Sequence, residues 1–230
     1  MKRVFVTTLP PLGEWRYVGP FDHYIRHVLR SQPSDLFAFF NDSGIATGQL
    51  IGLHKQHLMF HIEQHHPTQT LHTGITIAMG IIKPQNMEWV IQKATELGAD
   101  CLIPLITERT QGHYYNTSKQ EHWHKTMIQG CMQSGRNHAM TIESPHHLSQ
   151  WLPQESRTVV YFDPRGTQSL SLAHQPVVLL IGPEGGFSTS EHEFIMSTQP
   201  VTVRLGQHIL KSETAAVAGV VQQLTLQGLS

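Results

Sequence analysis

From about residue 73 the sequence alternates short apolar runs with segments of helical periodicity, and this alternation limits the fold more than any other feature. The apolar runs predict strands over residues 75–82, 101–106, 158–162, 177–181 and 201–205. Helices are predicted over residues 84–97, 119–134 and about 212–226, with one more opening near residue 188. Strands that alternate with helices imply a mostly parallel sheet covered on both faces. We therefore expect an α/β domain.

Helix-capping residues mark several of these predicted boundaries. Gly98 is placed as the C-cap of the helix over residues 84–97. Ser188 and Glu191 form a capping box that opens the next-to-last helix. Ser212 is placed as the N-cap of the last helix.

In the first seventy residues, the short spacing between apolar segments and turn residues predicts a β domain. Strands are predicted over residues 3–6, 36–40, 45–53 and 58–62, and residues 41–44 form a turn signal for a hairpin. Residues 22–30 predict a short helix that buries Ile25, Val28 and Leu29. The i, i+4 spacing places Arg26 and Arg30 together on a different face of this helix. Residues 65–70 are a polar, strand-breaking link. We expect a small β-barrel with one helix over residues 1–72, followed by a second domain over residues 73–230.

Composition excludes several classes of protein. Hydrophobic residues make up 39% of the chain, which is too many for a disordered one. The longest apolar runs fall well short of the roughly 20 residues that a membrane span needs, and the first residues lack the apolar stretch of a signal peptide. Cys101 and Cys131 lie too far apart for a CxxC motif, so a disulfide framework is excluded and a reducing cytoplasm is expected.

The net charge of the chain neither favours nor excludes a nucleic-acid partner. The net charge of −1 argues mildly against one, but the 17 histidines are partly charged at neutral pH, and more so near phosphates. The histidines between residues 54 and 66 have spacings that a zinc site could use. No cysteine or carboxylate pattern completes such a site, so we interpret them as a surface bias and expect no metal.

Two glycine-bearing loops follow predicted strands and precede capped helices. The first, Gly182-Pro183-Glu184-Gly185-Gly186-Phe187-Ser188, lies where ligands of open α/β sheets bind. It matches neither GxGxxG nor a P-loop and has no lysine, so a nucleoside or another uncharged planar group suits it better than a di- or triphosphate. A simple tight turn is the alternative.

The second loop runs from Leu205 to Ala216. Backbone groups of Leu205 and Leu210 could hold an adenine by hydrogen bonds. The helix that follows begins with small residues, which also suit a tightly packed core or a dimer seam. Both structural alternatives stay open on the sequence alone.

These two loops, taken in order, resemble the RsmE family of SPOUT methyltransferases, and the resemblance runs over nearly the whole chain. Further segments that match the family are His27-Val28-Leu29-Arg30, Lys93-Ala94-Thr95-Glu96-Leu97-Gly98, Pro104-Leu105-Ile106-Thr107-Glu108-Arg109 and Gln133-Ser134-Gly135-Arg136. The chain departs from the family pattern at Met132, His208 and Lys211.

The resemblance implies a homodimeric enzyme that uses S-adenosylmethionine to methylate N3 of one uridine in 16S rRNA, within the small ribosomal subunit. It also implies an α/β SPOUT fold with a C-terminal trefoil knot, preceded by a small PUA-like β-barrel that binds RNA. The residues implied to bind the cofactor are Leu180, Ile181, Gly182, Pro183, Glu184, Gly185, Gly186, Leu205, Gly206, Ile209, Leu210, Ser212, Thr214 and Ala215.

The expected chemistry is methyl transfer to a ring nitrogen that carries a weakly acidic proton. We expect Arg136 to stabilise the uracil anion or grip a phosphate, and Glu184 or Glu213 to take the proton or organise the pocket. Glu213 could equally be a first-turn acid favoured by the helix dipole. The residues expected to contact RNA are Arg3, Arg26, Arg30, Lys93, Arg109, Arg136 and Lys211.

Alternative functions stay open on the sequence. For Arg26 and Arg30 the alternative to RNA contact is a solvated helix face. The changes at His208 and Lys211 leave room for a catalytically idle RNA-binding homologue. A SPOUT enzyme that acts on another base or on a ribose 2′-oxygen is the remaining possibility.

Overall fold

The chain forms two compact units, each described here by itself. The computed structural model describes residues 1–68, 71–166, 169–171 and 176–229. Unit 1 comprises Met1–Thr70 and Cys131–Ala139, and unit 2 comprises Leu71–Gly130 and Met140–Ser230. The sequence did not predict that residues 131–139 belong with the N-terminal segment. Within the described residues, no helix has both the length and the apolarity to span a bilayer.

Unit 1 is built on a five-stranded sheet. Its strands are β1 (Lys2–Phe5), β2 (Gly13–Tyr17), β3 (Leu36–Asn41), β4 (Gly44–Leu53) and β5 (Leu58–His66), in the order β1-β3-β4-β5-β2. β1 pairs with β3 in parallel and the other ladders are antiparallel. The apolar side chains of Phe37, Phe39 and Phe60 are fully buried in its core.

The sheet of unit 1 differs from the sequence prediction in three respects. Among the described residues no ladder joins β1 to β2, so the sheet does not close into the expected barrel. The strand β2 was not predicted, although Trp15 and Tyr17 alternate with polar residues as a half-buried strand requires. β5 continues to His66 and takes in the start of the predicted link, because ladder hydrogen bonds come from the backbone and tolerate exposed polar side chains. Residues 69 and 70 of that link lie outside the described residues.

The predicted helix over residues 22–30 is a short π-helical segment, Tyr24–Val28. Its N–H groups bond five residues back, as Leu29 N does to Tyr24 O at 2.9 Å. The wider turn breaks the i, i+3 spacing, so Ile25 is buried as predicted while Val28 is 60% exposed. Arg30 follows the segment at φ 46°, so the expected pairing of Arg26 and Arg30 on one helical face is wrong.

Unit 2 contains the predicted parallel sheet. Its strands are β6 (Ile75–Gly80), β7 (Cys101–Ile106), β8 (Thr141–Ile142), β9 (His146–His147), β10 (Thr158–Phe162), β11 (Val177–Ile181) and β12 (Val201–Val203). The order is β12-β10-β11-β6-β7-β8, with β9 also paired to β7. All of these ladders are parallel, which confirms the α/β class.

The helices are α1 (Pro84–Leu97), α2 (Thr117–Ser134), α3 (Leu148–Trp151), α4 (Thr189–Ser197) and α5 (Ser212–Leu226). Gly98 is the left-handed C-cap of α1 at φ 91°, and the capping box of Ser188 and Glu191 is formed, as predicted. Ser212 is the first residue of α5, and Lys211 takes the N-cap position without a side-chain bond, so that capping prediction is wrong.

Candidate functional site

A cleft of about 580 Å³ opens in unit 2, where four loops follow the carboxyl ends of β6, β10, β11 and β12. This is the edge at which open α/β sheets bind ligands. Its lining comprises Lys83, Asn86, Tyr161, Phe162, Asp163, Pro164, Ile181, Gly182, Pro183, Glu184, Gly185, Gly186, Phe187, Arg204, Leu205, His208, Ile209, Leu210, Lys211, Ser212, Glu213 and Ala215.

The loop after β11 is shaped by glycine. Gly186 has φ +69°, a region open to glycine but strained for L side chains, and its N–H bonds Pro183 O at 2.8 Å. Gly80, at the end of β6, lies directly beneath the loop. A Cβ at Gly80 would stand 2.6 Å from Pro183 N, so the loop depends on the absence of that side chain.

The same loop is tied to the segment that follows β7. Arg109 donates to Gly185 O, and Glu108 N donates to Glu191 Oε1 at 2.8 Å. Ser190 Oγ donates to Glu108 Oε1 at 2.8 Å. Hydrogen bonds from Ser188 and Ser190 hold the pKa of Glu108 below its usual range. The capping box of α4 therefore also anchors the cleft loop.

The loop after β12 also lines the cleft. Gly206 turns it at φ +71°, and Arg204 Nη2 donates to Gln207 O at 2.6 Å. Ile209 projects with 82% of its surface exposed. An apolar side chain this exposed in a concave site offers contact area to a ligand or a partner.

Asp163, at the end of β10, anchors a polar network beside the cleft. Its carboxylate is 2% exposed and receives Arg165 Nη2 at 2.8 Å. His192 Nδ1 lies 3.3 Å from the carboxylate and 3.1 Å from Tyr161 Oη. Burial opposes ionisation of Asp163, but the hydrogen bonds from Arg165 outweigh it and lower its pKa. Burial and the charge of Asp163 raise the pKa of Tyr161, so the phenol stays protonated.

The two candidate acids occupy different surroundings in the cleft. Glu184 is exposed, and its Oε1 accepts from Asn86 Nδ2 at 3.3 Å. Glu213 lies in the first turn of α5, and its Oε2 is buried with no hydrogen-bond partner among the described residues. A buried acceptor without a partner is costly, so a ligand donor would satisfy it.

The structure brings most of the expected cofactor residues to this cleft. Three of them are absent from the lining. Leu180 is wholly buried in the sheet core, while Gly206 and Thr214 lie in the surrounding loop and helix. Arg136 is not among the lining residues either. It belongs to unit 1, where its Nε donates to His138 O at 2.6 Å.

Several of the cations expected to contact RNA are engaged within the protein. Arg3 donates to Asn137 and lies over the Phe40 ring. Lys93 pairs with Glu96 at 2.8 Å. Arg109 holds Gly185, and Arg26 bonds an aspartate and two backbone carbonyls. Arg30 and Lys211 are exposed.

Sequence reasoning missed the contributions of β10 and of the start of α1. Tyr161, Asp163 and Pro164 line the cleft from β10, and Lys83 and Asn86 line it from α1. A signal was present, since Asp163-Pro164-Arg165-Gly166 is a polar turn directly after a buried strand. Within the part of the chain that the structure describes, no group of histidine, cysteine and acidic residues is arranged to hold a metal ion.

The family model and the curated relatives that this chain matches are all RNA methyltransferases. A family model described as an RNA methyltransferase domain matches residues 69–222. The ribosomal RNA small subunit methyltransferase E of Buchnera aphidicola subsp. Schizaphis graminum is 31% identical, over 87% of this chain and 85% of its own. The protein of the same name from Bacillus subtilis is 29% identical, over 84% of this chain and 82% of its own.

Solved structures show the same fold. A methyltransferase from Legionella pneumophila, determined with its bound cofactor S-adenosylmethionine, is 26% identical and superposes with a TM-score of 0.89, covering 98% of this chain and 97% of its own. The ribosomal RNA small subunit methyltransferase E of Neisseria gonorrhoeae, bound to S-adenosylmethionine, superposes with a TM-score of 0.87 at 24% identity, covering 99% of this chain and 98% of its own.

Proposed function

The chain belongs to the ribosomal RNA small subunit methyltransferase E family, and on that premise we propose that it methylates N3 of one uridine in 16S rRNA. It is an S-adenosylmethionine-dependent rRNA methyltransferase. The observation that supports the proposal best is the cleft of unit 2. Both loops that match the family line it.

The residues present fit an S-adenosylmethionine molecule. The cleft volume of about 580 Å³ lies within the range of about 300–1,000 Å³ that is typical of small-molecule sites. Apolar side chains of Ile181, Ile209 and Leu210 line it beside backbone groups of the glycine loop. The partnerless Glu213 Oε2 supplies an acceptor that a cofactor donor would complete.

The bound cofactor would supply an electrophilic methyl group, and the protein must manage the proton on uracil N3. Glu184 is the candidate base, because it is exposed at the cleft and its Oε1 already accepts a hydrogen bond. Glu213 is the candidate for organising the pocket. The proposal that Arg136 stabilises the uracil anion depends on the family resemblance alone.

The finer features of fold and assembly are part of the same proposal. We propose that the C-terminal segment forms a trefoil knot, that unit 1 is PUA-like and binds RNA, and that the enzyme is a homodimer in the reducing cytoplasm. The lining of one cleft by both loops supports the knot, and the exposed apolar side chain of Ile209 supports a surface that a second protomer covers. The two free cysteines support the reducing compartment. The substrate is 16S rRNA, within the small ribosomal subunit.

Calorimetric titration with S-adenosylhomocysteine, the stable product, tests the pocket. We expect micromolar binding that is lost in Gly206→Val, because a β-branched residue is strained at φ +71°. Gly112→Val is the matched control, since Gly112 has open space and no positive φ. Equal affinity in both variants would place the cofactor elsewhere.

The reaction itself is tested with small ribosomal subunits that lack the modification. We expect methyl transfer from labelled S-adenosylmethionine, and mass spectrometry of the digested 16S rRNA to show N3-methyluridine at one position. Methylation of another base or of a 2′-oxygen would replace the assignment by the second kind of SPOUT enzyme. A folded protein that binds neither cofactor nor product would be the idle RNA-binding homologue.

A further inference from the structure

The turn between β4 and β5 presents a pair of stacked histidines at the surface of unit 1. Residues 54–57, named here the histidine turn, are closed by a hydrogen bond from His54 N to His57 O at 3.0 Å. The two imidazole rings lie 4.5 Å apart with an interplanar angle of 16°. His54 and Lys55 are exposed and His57 is half-buried.

Arg26 holds this turn through hydrogen bonds to its backbone. Its Nη2 donates to His54 O at 2.7 Å and to His57 O at 3.0 Å, while its Nε donates to Asp22 at 2.7 Å. A guanidinium with three protein acceptors is poorly placed to grip a phosphate by itself. Arg26 therefore positions the histidine turn, and the direct RNA contact expected for it from the sequence stays a prediction.

The charges that act on the turn are predominantly positive. Burial and the charges of Arg16, His54 and Arg26 lower the pKa of His57. These groups come from three elements: Arg16 from β2, Arg26 from the π-helical segment, and His54 from the turn, which also carries Lys55. Asp22 is the acid paired with Arg26 at 2.7 Å.

We propose that the histidine turn is a proton-coupled contact for the phosphate backbone of RNA. This inference rests on the proposed function, since it names the surface through which unit 1 meets rRNA. Burial and the neighbouring positive charges disfavour the charged form of His57 in the unbound turn. A phosphodiester beside the rings offsets that repulsion, and His57 takes up a proton as the RNA binds.

The sign of the pH dependence follows from linkage. The pKa of His57 is higher in the RNA-bound state, so affinity rises as the pH falls through the interval between the free and the bound values. A pKa difference of one unit corresponds to at most about tenfold in affinity per histidine. Each charged histidine at a phosphate also adds about 0.7 to the steepness of the salt dependence for single-stranded RNA.

The test uses the full chain and an unmodified 16S rRNA transcript, with affinity measured by filter binding over a salt series at about pH 6.0 and about pH 7.5. We expect affinity about three- to tenfold higher at the lower pH, with a steeper salt slope. Calorimetry in two buffers of different ionisation enthalpy should show proton uptake on binding. His54→Gln with His57→Gln should reduce both effects.

The matched control replaces two exposed histidines of unit 2, His122→Gln with His124→Gln on α2. This control accounts for the general rise in positive charge as the histidines titrate. If it loses as much pH dependence as the turn variant, or if the turn variant keeps its proton uptake, the proposal is overturned. Affinity for S-adenosylhomocysteine should be unchanged in both variants, and their thermal unfolding should match that of the parent protein, which shows that unit 1 as well as unit 2 is folded.

The two proposals fail in distinguishable ways. RNA binding and methylation without proton uptake would overturn the histidine turn and leave the enzyme assignment standing. No binding of the transcript at either pH, by a protein that binds cofactor, would overturn the histidine turn together with the role of unit 1 in RNA recognition.

Discussion

Glu213 combines a buried oxygen, Oε2, that has no hydrogen-bond partner among the described residues with a place in the lining of the cleft. Desolvating a charged oxygen without a partner destabilises the free protein. Functional sites commonly carry such a cost.

The first prediction at this scale concerns Glu213→Gln. The amide keeps the size but removes the buried charge, so we expect the free energy of unfolding without cofactor to stay equal or rise. Affinity for S-adenosylhomocysteine should fall about ten- to hundredfold, the effect of losing a hydrogen bond to a charged group. Denaturant unfolding and calorimetry measure the two quantities. Reduced stability with unchanged affinity would show that Glu213 serves the helix alone.

At the scale of elements, local signals predicted the structure wherever a residue fixes the backbone by itself. Pro84 and Gly98 bound α1 at the predicted residues, because proline suits the first turn and glycine takes the left-handed C-cap. Val28 was wrongly placed inside, because the π-helical turn changes the spacing and no local signal predicts it. The sequence did not predict Asp163 as a cleft residue, because its position depends on the pairing of β10 with β11 and β12.

The start of α4 gives the prediction that belongs to this scale. Ser188→Ala removes the side-chain acceptor of the capping box, and we expect a loss of about 0.5–2 kcal/mol in stability. Glu191→Ala removes the other half of the box and the bond to Glu108 N, so it should also loosen the cleft loop. Thermal unfolding of both variants, with calorimetric titration of the product, tests this. Unchanged cofactor affinity in Glu191→Ala would contradict the anchoring role.

At the scale of the whole molecule, the two units have separate cores. The core of unit 1 combines Tyr17, Phe37, Phe39 and Phe60 with aliphatic residues, whereas aliphatic residues on the parallel sheet dominate the core of unit 2. A ligand that binds one unit stabilises that unit by mass action, by about 2.7 kcal/mol at a hundredfold excess over Kd.

Hydrogen exchange measured by mass spectrometry tests this separation. With S-adenosylhomocysteine we expect added protection in residues 181–187 and 204–215, around the cleft, and little change in residues 36–66 of unit 1. The 16S rRNA transcript should instead protect residues 53–58. Equal protection of both units by the product alone would contradict a cofactor site confined to unit 2.

The return of residues 131–139 to unit 1 has a consequence for how the chain is made. Arg3 bonds Asn137, and Asp42 receives Ala139 N at 3.1 Å and faces His138 at the same distance. These partners are synthesised only after Leu71–Gly130, the first segment of unit 2. Unit 1 therefore stays incomplete while Leu71–Gly130 is translated. A fragment that ends near residue 70 would lack the part of unit 1 that residues 131–139 supply.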